Sequence, residues 1–197
     1  MTTSSIPGYR LGDPMLPKSP LTTADLATLK ASLLFGDDDV AALRKAHDVV
    51  KDQVEAILDV WYGFVGSTPH LLAYFSDPKT NQPIGTYLEA VRKRFGQWIL
   101  DTCRADYSEV WLAWQDEIGR RHHRSGKNKT DGVSAAPHIP LRHVLALVMP
   151  ISITMKPFLA KKGHTAAEVE AMHAAWTKAV LLHAILWSHP YAKDGDF

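Results

Sequence analysis

Cysteine is all but missing: Cys103 stands alone in 197 residues, so no internal disulfide can form and no Cys-x-x-Cys-His cofactor attachment motif can be built. A reducing cytoplasm suits such a chain. Net charge is nearly absent as well, at a formal +1, which leaves no field that would gather nucleic acid or an anionic membrane surface. No charged segment leads into an apolar stretch at the N-terminus, and no window approaches about 18 uninterrupted apolar residues, so neither export nor membrane spanning is expected. Alternating strand patterns, internal repeats and low-complexity tracts are lacking too. The expected class is all-α.

What is present is 46% hydrophobic residues, enough at this length for one well-buried core. One domain over 1–197 is expected, with an extended arm over 1–20 and a helical body over 21–197. Pro7, Pro14, Pro17 and Pro20, with Gly8 and Gly12, keep the arm out of regular helix, and order there would require docking. Thr22 or Thr23 caps a first helix carrying Leu26, Leu29, Leu33 and Leu34 to about Gly36. A longer helix follows from Asp37–Asp39 to about Val65, with Val50, Val54, Ile57, Leu58, Trp61 and Val65 inward.

After an apolar turn at Leu71–Phe75 and a loop to Thr86, spacing predicts helices over about Tyr87–Thr102 and Tyr107–Arg124. Ser125 to Pro140 is too long for a plain connection and reads as a functional surface segment. Two apolar helices close the chain, one over about Pro140–Leu159 with a kink at Pro150, the other from a Thr165–Glu168 capping box to about Ser188. The face Val169, Met172, Trp176, Val180, His183 and Trp187 on the last exceeds what one core needs, which predicts packing against a second subunit.

His122-His123 is the most informative pair. Tyr107, Trp111, Trp114, Ile118 and His122 fall on one stripe of a helix, so His122 points inward, while His123 is rotated by about 100° toward Asp116 and Arg120. A neutral imidazole on an aromatic wall offers one nitrogen to a metal inside an apolar pocket, but a hydrogen-bonded core histidine has the same spacing. The stripe alone leaves both readings open. The surrounding cluster Arg120, Arg121 and Arg124 reads as cations complementing a helix C-terminus, in preference to a phosphate site.

The strings Ile6-Pro7-Gly8-Tyr9, Trp61-Tyr62-Gly63-Phe64-Val65-Gly66, Ala90-Val91-Arg92-Lys93-Arg94-Phe95, Trp98-Ile99-Leu100-Asp101-Thr102 and Gly119-Arg120-Arg121-His122-His123-Arg124 resemble the protoglobin family. So do Thr154-Met155-Lys156-Pro157-Phe158-Leu159-Ala160-Lys161-Lys162-Gly163-His164 and Trp187-Ser188-His189-Pro190-Tyr191, in collinear order over nearly the whole chain. The resemblance implies a globin-like fold with an N-terminal arm and an extra leading helix, non-covalent haem b, and a homodimer through the last two helices. It places the iron on His122 and not on His123.

Trp61, Tyr62, Val91, Arg94, Phe95, Ile118 and Leu147 are the haem-pocket residues the resemblance implies, with Trp61, Tyr62 and Phe95 on the face opposite His122 and no distal histidine. From spacing alone Trp61 and Tyr62 read as core aromatics. As donors to a gas that acquires negative charge, a phenol or indole would add roughly 1.5–3 kcal/mol. Arg94, with the folded-back arm, is implied to neutralise or cover the haem propionates. Leu147 departs from the family's phenylalanine, which is expected to widen the pocket, and Met149 replaces an aromatic before Pro150.

The leading expectation is reversible binding of O2, CO or NO at five-coordinate ferrous iron in a cytoplasmic protein. An alternative is turnover of nitric oxide, peroxide or reactive nitrogen species at the same site, or carbene transfer with synthetic reagents; the lack of a distal histidine-arginine pair argues against peroxidase-type activity. A second alternative is a gas-sensor module acting through a separate partner.

Overall fold

The computed structural model describes residues 6–193 and 195–197; the first five residues of the expected arm lie outside them. Among the described residues the regular elements are helices, α1 (Thr23–Ser32), α2 (Asp37–Val50), α3 (Val54–Gly66), α4 (Pro69–Leu72), α5 (Gly85–Arg104), α6 (Glu109–His122), α7 (Leu141–Ala146), α8 (Val148–Leu159) and α9 (Ala166–Ser188), joined by turns and loops.

Local chemistry sets several boundaries. Thr22 caps α1, its side chain accepting from the Asp25 amide while Asp25 accepts from the Thr22 amide. Thr165 and Glu168 make the same reciprocal pair at α9. Ser108, not Tyr107, starts the histidine helix by accepting from the Trp111 amide at 3.3 Å. Each cap satisfies an orphan amide that the first turn leaves without a partner.

Three expectations require correction. The long helix to Val65 is two helices, broken at residues 51–53, where the Gln53 amide nitrogen donates to Val49 O at 2.6 Å and to Phe158 O at 3.2 Å. No proline or glycine marks that break. The interruption expected at Pro150 falls instead at Leu147, between α7 and α8. Pro150 sits in the first turn of α8, where a missing N–H leaves no helical bond unmade. Leu34 is not on an inner face: it has φ 51° and is exposed.

α9 runs through the middle of the molecule, packed on α8, α2 and α6. Its Met172, Trp176, Val180 and His183 are buried in the same chain, with Leu43, Val50, Leu58, Ile99, Met155 and Leu159 around them. The face thought to exceed the needs of one core is therefore consumed internally. The apolar side chains left outside on the last helices are Leu145, Met149, Ile153 and Leu181. Leu141–Lys162 is long and apolar enough to cross a membrane by length and composition alone. Here α8 spends its inner face on α9 and α3.

Glycine is required at two places that shape the site. On α6, a Cβ at Gly119 would stand 3.0 Å from Trp187 Cα and 3.2 Å from Trp187 O, so only glycine lets α6 lie this close to α9. In the arm, Gly8 has φ +76°, and a Cβ there would meet Thr130 Cγ2 at 2.6 Å and Arg94 Nη1 at 2.9 Å.

Candidate functional site

A mostly apolar cavity of about 220 Å³ lies between α3, α5, α6, the α7–α8 junction and the loop after α6. All eight site residues expected from the sequence meet at its wall: His122, Trp61, Tyr62, Val91, Arg94, Phe95, Ile118 and Leu147. His123 does not. It caps α6 in an extended conformation outside the cavity, with its ring 5.3 Å from His138 and 5.0 Å from Tyr191 instead of beside Asp116 and Arg120.

His122 is fixed from two directions. Its Nδ1 lies 2.9 Å from Ile118 O, a contact that requires Nδ1 to carry the proton and leaves the Nε2 lone pair without a task. Burial holds the imidazole pKa below its ordinary value, so the ring is neutral. Its face stacks on Trp187, centroids 5.0 Å apart and planes 15° apart. Trp187 is in turn held by its Nε1, which donates to Gln115 Oε1 at 3.0 Å, and by the His183 ring stacked parallel to it with centroids 5.7 Å apart.

The wall contributed by α3 and α5 is aromatic. Trp61 lies 5.7 Å from Phe95, which stacks on Trp98 at 5.3 Å. Burial pushes the Tyr62 phenol well above its usual range, so it is a protonated donor at any ordinary pH. Leu147 packs with Trp61, Val65 and Leu71 at the same end.

The other end is charged. Arg94 makes a two-pronged pair with Asp131, Nη1–Oδ1 3.0 Å and Nη2–Oδ2 2.7 Å, and also donates to Pro7 O at 3.1 Å. Arg121 pairs with Glu117, donates to Gly8 O at 2.7 Å and lies over the Trp114 ring. Tyr9 closes this side, its hydroxyl donating to Asp101 Oδ2 at 2.7 Å and its ring set edge-on to Trp114.

Sequence reasoning missed several lining residues. Arg121 was assigned to helix capping, although it lines the cavity. Tyr74, Tyr87, Lys127 and Asp131 were not singled out, although all four line it. Lys127 is only 6% exposed, which no periodic pattern in a loop could signal. The unusual length of the Ser125–Pro140 connection was the one available hint.

The helical fold around this cavity, with His122 on its wall, is that of a globin domain. The structure resembles the globin domain of the Geobacter sulfurreducens globin-coupled sensor at TM-score 0.65, with 14% sequence identity, covering 85% of this chain and 98% of that one. The family model described as Protoglobin matches residues 22–197, and the chain belongs to the protoglobin family. No curated protein matches it. Membership implies a haem cofactor and a diatomic gas as its ligand.

Proposed function

We propose that the chain holds haem b non-covalently in this cavity, with iron on His122 Nε2, and binds O2, CO or NO reversibly on the opposite side. The observation that carries this reading is His122 itself: an enclosed, neutral imidazole whose Nδ1 is committed to Ile118 O and whose Nε2 is left to an apolar cavity. Such a nitrogen is a good ligand to iron, and the hydrogen bond from Nδ1 behind it raises its basicity and fixes its orientation. The donor set therefore suits the cofactor. Haem iron would supply the affinity for the gas, and the protein supplies the proximal nitrogen, the dry surroundings and a sterically bounded open side.

Trp61, Tyr62 and Phe95 bound that open side, with Val91, Ile118 and Leu147 as its apolar filling. Tyr62 has a proton to donate and no acceptor among the described residues, so it suits a gas that acquires partial negative charge. Trp61 then serves as steric filling beside Phe95. Opposite His122, the lining residues from α3 and α5 include neither a histidine nor a carboxylate to act as acid or base. That supports binding over turnover.

Ultraviolet-visible spectra of the ferric, ferrous and CO-bound protein test the assignment. His122→Ala is expected to lose the five-coordinate ferrous spectrum, and His123→Ala to retain it. The opposite pattern would move the iron to the outer histidine and sink this reading.

A dimer through the last two helices belongs to the same proposal. Its support is the row of exposed Leu145, Met149 and Ile153, spaced four apart along α7–α8, together with Leu181 on α9. An apolar row of this kind gains most from a second apolar surface. A cytoplasmic setting accords with a lone thiol at Cys103, which is buried and free.

A further inference from the structure

Lys127 is an ammonium buried without a carboxylate in contact. Its Nζ donates to Tyr74 O at 3.1 Å, Tyr87 Oη at 2.9 Å and Asn128 Oδ1 at 2.9 Å, all neutral oxygens. The nearest acidic group that acts on it, Asp131, is already engaged by both prongs of Arg94. Around this end of the cavity, Lys127, Arg94 and Arg121 face Asp131 and Glu117, so one positive charge is unmatched. Buried cations are seldom left so, because desolvating a charge without a counter-ion is costly.

Tyr87 completes the arrangement. Its oxygen accepts from Lys127, which leaves its own proton to give, and no hydrogen-bond acceptor for that proton is found among the described residues. A phenol backed by an ammonium is a stronger donor than a phenol alone, since the cation polarises the O–H. Both side chains line the cavity. Arg94, by contrast, has three of its five N–H donors, and its charge, already committed to Asp131 and Pro7 O.

We propose that Tyr87 and Lys127 form a subsite for a single carboxylate of the cavity's occupant, Tyr87 donating the hydrogen bond and Lys127 supplying the charge. One unmatched positive charge fits a monoanion, and a porphyrin edge bearing carboxylates supplies one. This deepens the haem reading and rests on it. It also moves the anchor from Arg94, which the family resemblance suggested, to a pair that lies across the same end of the cavity.

The test compares iron protoporphyrin IX with its dimethyl ester, loaded into wild type, Lys127→Met and Tyr87→Phe, and follows loss of the porphyrin to an excess of an acceptor globin. Both substitutions are expected to speed loss of the diacid by about ten-fold or more, as removal of a charge-assisted contact does. Neither should change loss of the diester. Equal acceleration for diacid and diester would show that the pair only shapes the wall, and unchanged loss of the diacid would show that it holds nothing; either overturns the subsite. Tyr87→Phe removes one hydroxyl and keeps the ring, so the comparison survives if Lys127→Met folds poorly. Wild-type protein that retains neither porphyrin would bring down the haem reading, and the subsite with it, a result distinct from either of those.

Discussion

An imidazole buried without a hydrogen-bond partner makes folding depend on pH. His183 is 2% exposed, its Nδ1 has no partner, and Trp98, Trp111 and Trp187 enclose it at 5.1, 5.4 and 5.7 Å. Burial drives its pKa down to about 3, whereas in the unfolded chain it titrates near its ordinary value of about 6.5. Between those values the unfolded chain binds a proton that the native protein refuses, so stability falls as the solution is acidified, at up to about 1.4 kcal/mol per pH unit. Urea unfolding from pH 6.5 to 4 should show a shallower decline for His183→Leu than for wild type. The decline should not vanish, because His122, His123, His138 and His143 are shifted downward as well. A parallel decline would mean that His183 is protonated in the native state.

At this same scale the sequence was informative about His122 and silent about Lys127. His122 continues an aromatic stripe, and helical period alone turned it inward. Lys127 lies in a loop, where no period exists and burial depends on which distant groups, here Tyr74 and Tyr87, come to meet it. The partner of Arg94 was equally invisible, because Asp131 lies 37 positions away.

Between elements, the closest approach that matters to the site is that of α6 and α9. Gly119→Ala places a methyl group against the backbone of Trp187, which cannot rotate aside as a side chain can. Overpacking of this kind costs about 1–3 kcal/mol, so a lower thermal midpoint is expected by calorimetry. Gly96→Ala makes a useful contrast: its Cβ would meet the side chains of Val54 and Leu58 at 3.0 and 3.2 Å, which have freedom to shift. It should cost less. Equal losses would imply that helix spacing at Gly119 is slack.

Boundaries were legible where a side chain makes them. The Thr165–Glu168 box announces α9, and the observed helix ends at Ser188 as expected. The break between α2 and α3 was not legible, since Lys51, Asp52 and Gln53 are acceptable helix residues. At the break, the Gln53 side-chain nitrogen donates locally to Val49 O and, across to α8, to Phe158 O, a tertiary contact that no local pattern signals. Proline position misled in the other direction: Pro150 falls where a helix tolerates it, while Pro157 sits inside α8 without ending it.

For the molecule as a whole, the family match and the fold agree on a globin, and the exposed row on α7–α8 sets the next question. Met149→Glu combined with Ile153→Glu should turn the proposed dimer into a monomer in analytical ultracentrifugation, with little change in helix content, because both side chains are more than half exposed. A double variant that still sediments as a dimer would place the interface elsewhere.

The arm has a mechanical consequence. Residues 6–20 bring no helix of their own to the body; they are fastened by two guanidinium-to-carbonyl bonds, at Pro7 and Gly8, by the Tyr9 hydroxyl on Asp101, and by Tyr9 and Leu11 packed on the core. A strap with no helix of its own and so few fastenings opens at lower free energy than the helical body unfolds. A flat guest as wide as a porphyrin could then slide in from the side and be shut behind two arginines, with the helical body folded throughout.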